Sequence, residues 1–410
     1  MTIKNRWFQL VASVIAMVMI ANLQYAWTLF VKPVQAGTGW KLSDIQWAFT
    51  LFILFQTWVQ PVQGWLIDRM GPRIFISVAG VLCGIGWGGL GMATSLPMFW
   101  GLYIVAGIGA ALVYGGCIGG ALKWFTDRRG LAAGIIAGGY GGGAALFTPM
   151  IAWLLAHQGY REAFLYTGVF QGVVILIVAQ FLRHPDHAAQ PAVARAAATS
   201  GVGTRQFTTG EMLRTPQFYL LYVMFVMMAT GGLLVTANAG PMAASWGISV
   251  AFLTLATSLN AMANGTSRIF WGWVSDKTGR ELAMGIAFLL QAACLLLVLT
   301  VGRLSGPLFT VSLVLVFLTW GEVFSLFPSL VGDYYGARHA TSNYGVMYSA
   351  KGVASIIGGG VAALLYENFG SWDACFYGSA LLALIAAGMA FGLRRASVAA
   401  PRAAGVGVPA

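Results

Sequence analysis

Residues 64–73 read GWLIDRMGPR, and residues 272–280 read GWVSDKTGR. The second stretch starts 208 residues after the first, about half of a 410-residue chain. Each copy places an aspartate, flanking bases and a glycine directly after a long apolar run, so each reads as a short charged turn between two helices. A chain that returns to the same turn after half its length is built from two repeated halves, and everything around the two turns is read in that light.

Outward from these turns, apolar runs of about 20 residues follow one another along the sequence, each long enough to cross a bilayer as a helix. The runs are continuous rather than alternating with period two, which favours helices over a barrel. Twelve spans are expected, near 7–31, 43–67, 72–93, 97–123, 129–156, 162–183, 217–240, 247–273, 281–302, 306–330, 342–366 and 371–393. The composition agrees: 58% of residues are hydrophobic and 9% charged, whereas soluble domains carry about 25% charged residues. The 54 glycines would weaken soluble helices, but small residues let membrane helices approach closely. Residues 1–31 have Lys4 and Arg6 ahead of an apolar stretch too long for a signal peptide, so they read as an uncleaved first helix. Cys83, Cys117, Cys294 and Cys375 are scattered without CxxC spacing and read as packing residues.

The fold class is thus an all-α membrane protein of twelve helices in two pseudo-symmetric six-helix bundles. Residues 1–183 form one bundle and 217–395 the other. Between them, 184–216 reads as a cytoplasmic linker containing Pro185, Pro191 and a run of Ala, Gly and Ser. Its last part, Thr208-Thr209-Gly210-Glu211, offers a capping box for a short surface helix, and Thr215-Pro216 a start for the next span. Residues 396–410 read as a disordered cytoplasmic tail. The net charge of +11 does not point to nucleic acid, because of where the charges lie. With both termini cytoplasmic, most Lys and Arg fall at cytoplasmic loops, and only Lys32, Lys41, Arg161 and Arg303 fall outside.

Two bases, Arg268 and Lys351, lie inside predicted spans. Arg268 is eight residues, about 12 Å of helix, from Asp276 in the charged turn. Lys351 is thirteen residues, about 20 Å, beyond Arg338. An ionised group at that depth costs a few kcal/mol or more (about 3 on lenient scales), so it has a partner or a purpose. Asn260, Asn264 and Arg268 form one polar stripe, and Tyr344, Tyr348, Lys351 and Ser355 another, as expected for the walls of a hydrated cavity. Glu322 is the one deep acid in the spans. Trp320 and Glu322 are about 200° apart around a helix, while Trp320 and Phe324 share a face, which puts Trp320 on the cavity side. In the first half, Gln60 falls opposite Arg268 at the 208-residue offset, and Gln56, Gln60 and Gln63 line one face. Asn22, Gln24, Tyr25, Thr28, Tyr114 and Tyr140 supply further polar and aromatic groups. A cavity with two cations and neutral donors suits a small carboxylate: arginine as a bidentate fork, lysine as a point charge, tyrosine and glutamine as donors.

Both turns resemble the loop signature of the major facilitator superfamily, roughly G-x-L-x-D-R-x-G-x-R/K. In that family the acid and bases form a cytoplasmic ion-pair latch, which the resemblance assigns to Asp68, Arg69 and Arg73 and again to Asp276, Lys277 and Arg280. Halves so related imply a central site at their interface. A closer likeness is to the bacterial oxalate:formate antiporters, carried by Asn5-Arg6-Trp7-Phe8, Gln24-Tyr25-Ala26-Trp27-Thr28-Leu29, Gly210 to Phe218, Phe270-Trp271-Gly272, Thr319-Trp320-Gly321, Leu326-Phe327-Pro328-Ser329, Asn343-Tyr344-Gly345 and Ala350-Lys351. That likeness implies an inner-membrane exchanger of oxalate for formate whose two intramembrane cations are Arg268 and Lys351. The expected substrate contacts are Arg268, Lys351, Trp320, Tyr25, Gln24, Tyr114, Tyr140, Gln60, Asn264 and Tyr348. Glu322 departs from the oxalate exchangers, which carry a small residue there, although related members carry an acid; it is a candidate for coupling. The expected partners are a small dicarboxylate or monocarboxylate and the bilayer, with no nucleic acid, no cofactor or metal, and a monomeric assembly.

A proton-coupled monocarboxylate symporter is the alternative, and a non-transporting membrane sensor a distant one. A drug exporter would need an acidic cavity. No HExxH, GxSxG elbow or P-loop points to an enzyme, and Gly84-Ile85-Gly86-Trp87-Gly88-Gly89 fits GxGxxG only inside an apolar helix.

Overall fold

The computed structural model describes residues 5–63, 67, 71–125, 129–183, 207–335 and 340–399. Among these residues the chain is all helix and turn. The first half comprises α1 (Arg6–Tyr25 and, after a break at Ala26, Trp27–Thr38), α2 (Leu42–Trp58), α3 (Pro72–Gly89), α4 (Leu96–Trp124), α5 (Arg129–His157) and α6 (Tyr160–Ala179). The second comprises α7 (Pro216–Ser245), α8 (Val250–Thr278), α9 (Arg280–Thr300), α10 (Gly306–Trp320 and Val323–Tyr335), α11 (Ala340–Ser355, a π turn at Ile356–Val361, and Ala362–Phe369) and α12 (Asp373–Ala399). Ten helices among the described residues are long and apolar enough to cross a membrane. The other two of the expected twelve are α2, whose regular part is 17 residues, and α8, which carries Asn260, Asn264, Arg268, Asp276 and Lys277.

Local chemistry sets the helix ends. The Thr208 hydroxyl accepts from the Glu211 amide while the Glu211 carboxylate accepts from the Thr208 amide, closing the capping box of the short helix Thr209–Met212. Thr215 caps α7, with Pro216 in the first turn where a missing N–H costs nothing. Among the described residues six glycines have positive φ, and they pair between the halves. Gly39 (73°) matches Gly247 (68°), and Gly71 (84°) matches Gly279 (90°), both at the 208-residue offset; Gly159 and Gly370 mark the corresponding later turns. Left-handed backbone is cheap only for glycine, so these turns are fixed at equivalent places in both halves.

Within the first half α3 packs on α4 and α6, α2 on α4, and α1 on α5. The second half repeats the plan: α9 packs on α10 and α12, α8 on α10, and α7 on α11. The α3–α6 contact is glycine on glycine, a Cβ at Gly80 falling 2.9 Å from the Gly172 carbonyl. The halves meet along α5–α8 and α2–α11, with the second segment of α1 against α7. Gly141 of α5 lies against Gly265 of α8 where they cross, a Cβ there falling 3.3 Å from the Gly265 Cα.

At one end of the molecule sit Arg73, Arg183, Lys277 and Arg280; the opposite end holds Gly39, Gly159, Gly247 and Gly370, and is called the far end below. There the halves are stitched by hydrogen bonds. Gln46 donates to the Ala237 carbonyl (2.8 Å), the Thr50 hydroxyl to the Ser355 carbonyl (2.9 Å), and the Gly360 amide to the Thr50 oxygen (3.1 Å). Glu367 accepts from the Ser43 amide (2.9 Å), and Thr28 from the Gly240 amide.

Candidate functional site

Two helices of the second half each deliver a cation to the seam between the halves. On α8, Gly265 and Ser267 let the helix lie close to its neighbours, and Arg268 projects across to the first half. Its Nη1 donates to the Ala137 carbonyl of α5 (3.3 Å), its Nη2 to the Tyr25 hydroxyl of α1 (3.4 Å), and its Nε to Asn264 Oδ1 (3.4 Å). On α11, Lys351 crosses likewise, donating to Gln24 Oε1 of α1 (2.9 Å), Gln56 Oε1 of α2 (3.2 Å) and the Tyr348 hydroxyl (3.3 Å). Arg268 is 5% exposed and Lys351 fully buried. Among the described residues neither cation pairs with a carboxylate; every oxygen they hold is neutral.

Aromatic rings fill the space around them. The centroid of the Phe324 ring lies 4.5 Å from the Arg268 guanidinium carbon and 5.6 Å from Lys351 Nζ, so one ring serves both cations. Tyr140 packs edge-on against Tyr25 and Tyr114, both at 5.5 Å, and Tyr114 stacks on Tyr348 at 5.7 Å. Tyr140 also closes a ring of hydrogen bonds: its hydroxyl accepts from Gln56 Nε2 (2.8 Å) and donates to Gln24 Oε1 (2.7 Å), and both amides accept from Lys351.

The cations dictate which way the amides face. An ammonium needs an oxygen, so Lys351 takes Oε1 of Gln24 and turns its NH₂ away; Arg268 does the same to Asn264. Gln24 Nε2 and Asn264 Nδ2 are in consequence buried donors with no partner among the described residues, as are the Trp320 indole N–H and the Tyr344 hydroxyl. Buried polar groups are normally satisfied, and orphans gathered around two cations mark a place built for an acceptor from outside the protein. These four unfilled groups can all donate, which is the chemistry of an anion site, while Asn260 Oδ1, one turn from Asn264, is a buried acceptor likewise without a partner among the described residues.

The structure brings together Arg268, Lys351, Tyr25, Gln24, Tyr114, Tyr140, Asn264 and Tyr348. Trp320 stands at the edge, its ring wedged against Gly232 of α7 and edge-on to Phe324 (5.2 Å). Gln60 is not with them: it lies one turn further toward the basic end, against Gly115 of α4, while Gln56 reaches Lys351. Phe324 also belongs to the site; nothing in the sequence marks it beyond the helix face it shares with Trp320. Glu322 occupies the break in α10, fully buried, and no donor among the described residues reaches either carboxyl oxygen.

Of the latch residues, Asp68 and Arg69 lie outside the described residues, as does the side chain of Asp276. Arg73 donates to Gln180 (2.9 Å) at the end of α6. Arg280 pairs with Asp333 of α10 (3.3 Å), and Lys277 stands over the Trp273 ring (4.0 Å). Among the described residues no group of three or more His, Cys, Asp or Glu could hold a metal ion.

The sequence profile of the Major Facilitator Superfamily matches residues 11–239 and 220–407. The chain is 40% identical, over 94% of its length and 91% of the other, to the oxalate:formate antiporter of Oxalobacter formigenes. It is 26% identical to an uncharacterised transporter of the same superfamily from Escherichia coli, over 86% of each chain. It is 27% identical to human monocarboxylate transporter 11, over 86% of this chain and 75% of that one.

Proposed function

Because the chain belongs to the Major Facilitator Superfamily and is a multi-pass membrane transporter, we propose that it carries small organic anions, exchanging oxalate for formate by alternating access around Arg268 and Lys351. The observation that carries this reading is the pair of buried cations whose partners are all neutral, ringed by orphaned N–H and O–H donors. Two unit charges about 8 Å apart repel by about 2 kcal/mol at an effective dielectric near 20. A planar dianion between them removes that repulsion and accepts from Gln24, Asn264, Trp320 and Tyr344. The 40% identity to the antiporter supports oxalate and formate in particular.

Both cations reach across the seam, so their engagement differs as the halves rock, and an anion that draws them together favours closure. The halves 1–183 and 217–395 are the moving bodies, linked by 184–216. Asp68, Arg69 and Arg73, with Asp276, Lys277 and Arg280, serve as the cytoplasmic latch. The chain is placed in a bacterial inner membrane with both termini cytoplasmic, following the distribution of its bases. The test is counterflow of radiolabelled oxalate into proteoliposomes preloaded with formate or other carboxylates. Exchange by the native chain, lost in Arg268→Gln and Lys351→Gln while both remain in the membrane, bears the reading out; normal counterflow in either variant refutes it.

A further inference from the structure

We propose that Glu322 is a proton-binding site, separate from the anion site, and that the proton it carries is moved when the transporter reorients. This deepens the anion-carrier reading and rests on it. Three observations meet at this residue. Its carboxyl group is 0% exposed, and no donor among the described residues reaches either oxygen. It sits where α10 is broken: the helix ends at Trp320 and resumes at Val323, with the Glu322 carbonyl taking the Ser325 and Leu326 amides (2.9 and 2.8 Å). The break is pinned to the anion site on both sides. Gly321 lies against α8, a Cβ there falling 2.7 Å from the Asn264 carbonyl, and Phe324, two residues on, faces both cations.

Among the described side chains, the titratable and charged groups on the elements packed against α10 are Arg268 and Lys277 on α8, Arg280, Glu281 and Cys294 on α9, Arg303 in the turn after it, Tyr344, Tyr348, Lys351, Tyr366 and Glu367 on α11, and Tyr219 and Tyr222 on α7. None of them hydrogen-bonds to the Glu322 carboxyl or pairs with it. An ionised carboxylate without donors or a countercharge is strongly disfavoured out of water. The conformation described here therefore holds Glu322 as the neutral acid. Ionisation requires a conformation in which the 321–322 break meets water, so passage through the closed form carries one proton with it in either direction. The anion charge and the proton occupy different pockets of one hinge, which lets one load without displacing the other.

The test uses the full-length chain in proteoliposomes holding a pH-sensitive dye, with oxalate and lactate as probes. In the native chain, exchange falls about tenfold for each pH unit once Glu322 is mostly ionised, and net anion uptake brings protons with it. Glu322→Gln, fixed in the neutral shape, exchanges anions at a rate that no longer falls with pH and moves no protons. Wild-type pH slope and proton uptake in Glu322→Gln would overturn the proposal. Should that variant fail to fold, Glu322→Asp keeps the acid and must keep the slope. An infrared measurement on purified protein judges the site without transport: the carboxylic-acid C=O band of the native chain should vanish in Glu322→Gln, and a native chain without that band refutes the site. If the native chain exchanges neither probe, the anion reading falls, and the infrared result still decides the proton site.

Discussion

Arg268 uses three different nitrogens on three different oxygens, from α1, α5 and its own helix. An ammonium on a shorter effective reach cannot hold all three, and its charge is compact rather than planar. Arg268→Lys should therefore lose most of the exchange activity, nearly as much as Arg268→Gln, although the charge is kept. Initial counterflow rates at matched protein content check this. Tyr140 makes a subtler case. Its hydroxyl joins the two amides that hold Lys351, and removing it leaves Gln56 Nε2 a buried donor without an acceptor. An unmade buried bond costs about 1–3 kcal/mol, so Tyr140→Phe should raise the KM for the anion by roughly 5- to 150-fold while the chain stays folded. Unchanged KM in Tyr140→Phe would show that the ring of amides does not position the lysine. The cations themselves were legible in the sequence because a charge at that depth is rare. Gln56 was not separable from Gln60, since both lie on one face of α2 and only the rotation of α2 against α11 decides which meets Lys351.

Among the elements, helices are legible in the sequence and their interruptions are not. Apolar periodicity marks α1, α10 and α11 as spans, but it is blind to the break at Ala26, which has neither proline nor glycine beside it, and to the π turn over Gly358, Gly359 and Gly360. Such irregular backbone is tolerated at membrane depth where it is buried in protein, and burial belongs to the packed state rather than to the local sequence. The 208-residue offset, by contrast, was readable from two short turns and reappears in the positive-φ glycines. Glycines within helices differ sharply in what they permit. A Cβ at Gly86 of α3 would fall 2.7 Å from the Leu102 carbonyl of α4 and closer still to the Ala106 amide, both rigid backbone. At Gly101, on the same α4, nothing lies within 4 Å. Gly86→Ala should destabilise the protein by about 1–3 kcal/mol, the usual cost of overpacking, whereas Gly101→Ala should be neutral or slightly stabilising. Thermal unfolding in detergent, followed by exposure of the buried native cysteines, separates the two.

For the whole molecule, what has to change during transport is the seam between the halves, and its far end is held by few bonds. Thr50 is the most heavily used: its hydroxyl donates to the Ser355 carbonyl and accepts from the Gly360 amide, while Ser355 Oγ returns a bond to the Thr50 carbonyl (3.2 Å). Thr50→Val keeps the shape and removes the first two, so the Ser355 carbonyl and the Gly360 amide lose their bonds across the seam whenever that end is closed. Once it opens, water satisfies both groups, so the substitution penalises only the closed form. At about 1–3 kcal/mol for the loss, the equilibrium moves roughly 5- to 150-fold toward opening at the far end, the outer face in the proposed topology. Thr236 is buried near Tyr25 and Asn260 in a small cavity on that side, so a cysteine there reports opening. In a background with the four native cysteines replaced by alanine, Thr50→Val should speed labelling of that cysteine by a membrane-impermeant thiol reagent by about the same factor. It should also slow exchange, because a carrier that rests open must close before it can return its cargo. Labelling at the parental rate would mean that the bonds of Thr50 do not hold the far end shut, and that the glycine contacts of α5 with α8 set the balance instead.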